Sequence, residues 1–125
     1  MEKTRRIAVG CGLAFFCAIG GLNGEQPLRM EVSPSVSRAP AVVTVRVTVA
    51  TAADNRSLQV IAESPTFYRS SQTQIDGTNS SPVNVFEFRD LPTGTYQITG
   101  ILMGTRGARA TVLRLARVEP PVGSQ

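Results

Sequence analysis

Glu63, Asp76, Glu87 and Asp90 are the carboxylates whose type would suit acid–base work. Glu87 and Asp90 are close in sequence, but Glu87 falls on the outward phase of a strand. Asp90 sits at a turn, where an Asx side chain bonds to backbone. No pocket-forming motif accompanies them, so structural use is the expectation for all of them. The chain has 0 His, so it lacks the commonest general base and the commonest metal ligand. Serines are plentiful but have no imidazole partner, and the only lysine is Lys3. Two oxygen-rich stretches, "ADNRS" (Ala53–Ser57) and "DGTNSS" (Asp76–Ser81), invite calcium. Calcium asks for several carboxylates, whereas each stretch has a single acid and reads better as a turn. The expectation is no catalysis, no cofactor and no metal.

The elements that would position these residues begin after an N-terminal segment of different character. Lys3, Arg5 and Arg6 make a basic start, followed by the uncharged run Ile7–Gly20 and then small residues. That order is the pattern of a secretory signal peptide over residues 1–24, helical in its apolar part, with cleavage after Gly20 or Gly24. The apolar run is shorter than the ~20 residues of a spanning helix, so a retained anchor is the lesser reading. Cys11 and Cys17 both fall in this segment, and neither has the surroundings of a lipidated cysteine. The chain beyond it therefore has no thiol nucleophile, no disulfide and no zinc–cysteine site. Secretion or a periplasmic, envelope location is the expected address. Membrane contact would come only through the segment before cleavage.

From Glu25 onward the chain carries ten arginines against eight Asp plus Glu, a net of 10 − 8 = +2. The arginines are spread singly rather than clustered with aromatics, which argues against nucleic-acid binding.

Alternation then dominates. "LRMEVS" (Leu28–Ser33) places Leu28, Met30 and Val32 on one face, and "AVVTVRVTVA" does the same with Val43, Val45, Val47 and Val49. β-Branched residues two apart fit a pleated strand and resist a helix. "LQVIA" (Leu58–Ala62), a short "TFYRSS", "VNVFEFR", "TYQITGILM" and "RATVLRLARV" complete the set. "PSVSRAP" reads as loop or bent edge, and Ser70–Pro82 as a long loop or weak edge. The last strand breaks phase, since Ala110 and Val112 share one face while Leu113 and Leu115 share the other. A bulge near Val112–Leu113 would bring both pairs to the core; otherwise one pair is exposed. About seven strands with intervening turns predict an all-β, antiparallel Greek-key sandwich over residues 25–118, with a frayed tail at 119–125.

Tyr96 opens the penultimate strand, directly after "DLPTG". A tyrosine there folds its hydroxyl back onto backbone a few residues upstream and pins a crossover between sheets. Asp90, Gly94 and Tyr96 are thus the predicted structural corner. Phe86, Phe88, Leu91, Pro92, Gly94, Tyr96 and Gly104 occur in the order found in carboxypeptidase regulatory-like domains, which the stretch Phe86–Gly104 resembles. These are transthyretin-like sandwiches, and fibronectin type III and bacterial Ig-like modules are similar there. The resemblance implies a non-catalytic module for protein or surface contact, with an unknown protein or envelope partner. A small carbohydrate-binding module and an anchored envelope protein are the alternatives. Candidate contact residues are Phe67, Tyr68, Arg69 and Arg106, and candidate loops are Ala52–Ser57, Ser70–Ser81 and Gly104–Ala108.

Overall fold

Alternate residues of the valine-rich stretch turn to the same side, and Val43, Val45 and Val47 are wholly buried there. The computed structural model describes residues 26–123, so the signal peptide expected over 1–24 lies outside the described residues. Eight strands form: β1 (Leu28–Ser33), β2 (Val36–Arg38), β3 (Ala41–Val49), β4 (Asn55–Ser64), β5 (Phe67–Gln74), β6 (Val83–Leu91), β7 (Gly94–Gly104) and β8 (Gly107–Glu119). A single 3-10 turn, Gly77–Asn79, lies between β5 and β6.

The strands make a three-stranded sheet, β1-β3-β6, and a five-stranded sheet, β2-β8-β7-β4-β5. The two enclose one core, to which Leu28, Met30, Leu58, Val60, Phe88 and Ile98 contribute from both sides. Burial of this apolar face is the main stabilising term, at roughly 25 cal/mol per Å² removed from water. The layers come close at Gly100: a Cβ there would lie 2.9 Å from the Met30 sulfur, so a larger residue would force the Met30 side chain to move aside.

The fold is all-β, with antiparallel pairing except at one edge. Val36–Arg38, expected as loop or bent edge, is an edge strand that pairs in parallel with Arg117–Glu119. The polar stretch from Ser70, expected as a long loop or weak edge, is edge strand as far as Gln74, and pairs with β4 along its length. Polar residues suit this position because β5 is an edge strand with one neighbour and a solvated outer face. The last strand has no bulge at Val112–Leu113. The register shift lies at Leu102/Met103, nearer the hairpin, so Val112 stays on the core side. Leu113 and Leu115 face out and are 49% and 60% exposed.

Candidate functional site

Three connections meet at one end of the two sheets: the β3–β4 loop, the 3-10 turn and the β7–β8 hairpin. The Gly77 Cα position faces the Ala53 carbonyl, with a built Cβ 3.2 Å from that oxygen, and Gly77 has φ +50. The turn therefore needs a residue tolerant of the left-handed region at that contact. The chain also enters β1 at this end, since the Ala50 N–H donates to the Pro27 carbonyl at 3.0 Å.

Asn55 is the buried polar residue of the end, 1% exposed. Its amide nitrogen donates to the Ala50 carbonyl at 3.0 Å, and its amide oxygen accepts from the Arg109 guanidinium. Arg109 in turn lies 3.6 Å from the Asp54 carboxylate. Asp54 accepts from the Thr105 hydroxyl and from the Thr105 N–H at 3.3 Å. The Thr105 hydroxyl bond, then the Thr105 N–H, and the charges of Arg109 and Arg56 hold the Asp54 carboxyl below its ordinary 3.8 against a weaker desolvation effect. The group clasps β4 to the hairpin. A built Cβ at Gly104 would come within 2.6 Å of both Asp54 and Arg109, so the clasp also needs a glycine there.

Arg56 donates to the carbonyls of Ala53 and Asn55 at 2.7 and 2.8 Å. It lines an open cleft of about 310 Å³ with Ala53, Ile75, Asp76, Gly77, Thr78 and Asn79. Neither Arg56 nor Arg106 at the hairpin tip has a carboxylate within ion-pair distance among the described residues. Among the described residues, no group of three or more His, Cys, Asp and Glu is placed to hold a metal ion.

The loops singled out in the sequence, Ala52–Ser57, Ser70–Ser81 and Gly104–Ala108, supply this end, although Ser70–Gln74 belongs to β5. Arg106 and Asp76 lie there; Phe67, Tyr68, Arg69, Asp90, Gly94 and Tyr96 do not. The Tyr96 hydroxyl donates to the Pro92 carbonyl at 2.7 Å, beside the link between β6 and β7. Burial raises the Tyr96 phenol above its ordinary 10.0, while the nearby Ser64 hydroxyl and the Arg69 charge act in the opposite direction. Asp90 adopts φ 59 where β6 bulges opposite Ala41–Val43, and makes no side-chain hydrogen bond. Its role is thus backbone conformation rather than the Asx bond expected from the sequence. Gly94 packs against Ser64 and Tyr96.

The cluster Phe67, Tyr68, Arg69 divides. Phe67 meets Tyr96 edge-on with centroids 6.0 Å apart, and Arg69 lies 4.9 Å from the Phe67 ring centre while donating to the Arg89 carbonyl at 2.6 Å. Tyr68 points outward and is 61% exposed. Glu63 and Asp76 are exposed and line two different clefts, while Glu87 pairs with Arg89 at 2.9 Å. Asn55, Asp54, Thr105 and Arg109 were not singled out as a group. "DNRS" carries the signature of any turn, and nothing in the local pattern announces that its Asn turns inward.

No protein-family model matches the sequence, and no curated protein sequence matches it. Solved structures do. Superoxide reductase (neelaredoxin) from Ignicoccus hospitalis is similar over 81% of this chain and 93% of that one, at TM-score 0.60 and 14% identity. Two single-substitution forms of that enzyme are similar over 74% of this chain and 79% of theirs, at TM-score 0.60 and 15% and 16% identity. At such identity the likeness shows the fold alone.

This corrects the family read from Phe86–Gly104. The fold is similar to that of superoxide reductase, and the likeness gives no support to a secreted Ig-like, fibronectin-like or carboxypeptidase regulatory-like module. The strand-turn-strand signature is local, and many two-sheet folds share it. The expectation of a non-catalytic interaction module is corrected with it, as are the carbohydrate-binding and anchored-envelope alternatives. Chains with this fold carry the name of an enzyme, so the fold no longer argues against catalysis.

Proposed function

We propose that the loop end binds a small anion, and that superoxide chemistry is the activity to assay there. The observation that carries this reading is Arg56, which lines the cleft with Ala53, Ile75, Asp76, Gly77, Thr78 and Asn79 and has no carboxylate within ion-pair distance among the described residues. The fold likeness supports it from a second direction, since superoxide, named for the solved relatives, is itself a small anion. Reducing superoxide to hydrogen peroxide takes one electron and two protons. The described residues hold no His, no Cys and no metal-ligating cluster, so they do not fit a protein-held redox metal. No electron-transfer step is assigned to them.

Amide chemical shifts test the binding directly. Azide or phosphate added to the protein should move the resonances of Arg56, Thr78, Asn79 and Thr105, and Arg56→Gln should remove the effect. Shifts scattered over the whole surface, or none, would sink the proposal. Superoxide consumption is then measured on the full chain, with and without added iron. Consumption that tracks added iron alone, unchanged in Arg56→Gln, would leave the cleft without a part in it.

Two further readings belong with this one. The two sheets are read as a Greek-key sandwich in which Tyr96 pins the crossover from β6 to β7, supported by its bond to Pro92. Export is read from Lys3, Arg5, Arg6 and the apolar Ile7–Gly20. Intact mass of the protein recovered from a secreting host would show removal of 20 or 24 residues if that reading holds.

A further inference from the structure

The outer face of the five-stranded sheet carries a groove at the end of β4 remote from Asn55. Its floor follows from register. Tyr68 pairs with Glu63, Glu63 with Gln97, and Gln97 with Leu115, so four strands contribute one row on one face. With strands about 4.8 Å apart, the row spans roughly 14 Å. A cleft of about 460 Å³ lies over its middle, lined by Glu63, Ser64, Pro65, Thr95, Gln97 and Leu115. Tyr68 stands at one end of the row and Leu115 at the other, each about three-fifths exposed.

The charge pattern is what makes this row more than a solvated face. The next row inward is Ser70, Ile61, Thr99, Leu113, and the one after it is Gln72, Gln59, Ile101, Thr111. Glu63 is the only charged residue in the three rows. It has no ion-pair partner among the described residues. The cations nearest in sequence and register are already engaged. Arg69 holds the Arg89 carbonyl and covers the Phe67 ring, and Arg117 donates to Glu119 at 2.8 Å. An unpaired carboxylate directly across from an exposed phenol ring offers a cation both a counter-charge and a π-face. Gln97 adds a neutral acceptor, and Pro65 and Leu115 add apolar walls.

We propose that this groove binds an organic cation, a guanidinium or alkylammonium head on a short apolar chain. The head sits between Glu63 and Tyr68, and the chain runs over Gln97 toward Leu115. The site is separate from the loop end, since Arg56 and Glu63 lie seven residues apart along β4, roughly 23 Å.

Butylguanidinium, and butylurea as its uncharged counterpart of the same shape, are the probes. Titration of the full chain with butylguanidinium should shift the amide resonances of Glu63, Tyr68 and Gln97, and butylurea should leave them in place. Glu63→Gln should weaken binding about two- to fivefold, and Tyr68→Ala should weaken it while Tyr68→Phe retains it. Both positions are exposed, so thermal melting should stay where it is and show that the fold is intact. Equal response to the two probes would make the groove merely apolar and overturn the proposal. So would full binding by Glu63→Gln, or no response to butylguanidinium at all.

Discussion

The Tyr96 hydroxyl donates to the carbonyl of Pro92, four residues upstream, at 2.7 Å. Pro92 lies in the short link that carries the chain from the three-stranded sheet to the five-stranded one. The bond therefore ties the start of β7 to the crossing itself. The ring is wholly buried and rests edge-on against Phe67. Tyr96→Phe keeps the ring and strands the carbonyl, at a cost of about 1–2 kcal/mol in urea or guanidinium unfolding. The cost should shrink at alkaline pH. A phenol raised above 10.0 by burial stabilises the fold below that value and loses its contribution as pH rises through the higher folded value. Equal stability of the two proteins at neutral pH would remove the corner from the account.

Asp54 gives a dependence on the acid side. Its carboxyl is held below 3.8, first by the Thr105 hydroxyl and then by the Thr105 N–H. A depressed folded value means that its contribution is present in full above 3.8 and is lost as pH falls through the lower folded value. Asp54→Asn should thus be less stable than the parent near neutrality, with the gap closing as pH falls below 3.8. Unfolding midpoints measured across that range check it, and a gap independent of pH would count against the assignment.

The close approach of the layers at Gly100 is testable by a double-mutant cycle. Gly100→Ala pushes a methyl to within 2.9 Å of the Met30 sulfur, and Met30 is itself only 2% exposed. Overpacking should cost about 1–3 kcal/mol, at the low end if the flexible Met30 chain moves aside. Met30→Ala alone leaves a cavity costing about 2–5 kcal/mol. Together the changes should cost less than their sum, because the new methyl occupies part of the space vacated. Strict additivity would mean that the two side chains do not meet.

The core of this fold was legible because period-two alternation is read directly from the chain. Leu28 and Met30, Val43, Val45, Val47 and Val49 of β3, Phe86 and Phe88, and Tyr96, Ile98, Gly100 and Leu102 all turn inward as their phase requires. Tyr96 was legible for a related reason, as its position relative to a Pro–Gly turn fixes where its hydroxyl can reach. Edge structure was legible only as an alternative to loop. "SSQTQ" read as long loop or weak edge, because an edge with a solvated face needs no apolar alternation, and its pairing to β4 is set by the neighbour. The short parallel pairing of β2 is likewise a tertiary outcome. The family read from Phe86–Gly104 went astray because a turn signature reports local geometry, whereas fold kinship depends on how all eight strands are ordered. The Asn55 cluster was hidden for a third reason. Its members, Asp54, Asn55, Thr105 and Arg109, are about fifty residues apart in pairs and meet only once the hairpin folds over β4.

That cluster supplies the last prediction, because Asn55 satisfies groups on two elements at once. Its amide nitrogen serves the Ala50 carbonyl, and its amide oxygen serves Arg109. Asn55→Ala should leave both without that partner and cost about 1–3 kcal/mol, the penalty of an unmet buried group. Asn55→Asp separates the two bonds. A carboxylate keeps an acceptor for Arg109 but has no N–H for Ala50, so it should recover the hairpin contact and not the loop contact. Hydrogen exchange distinguishes the elements. In Asn55→Ala, protection should fall both in the Ala50–Asp54 loop and in the β7–β8 hairpin. In Asn55→Asp, protection should fall in the loop alone. If both variants open both elements equally, Asn55 acts only through packing, and the clasp is Arg109 with Asp54.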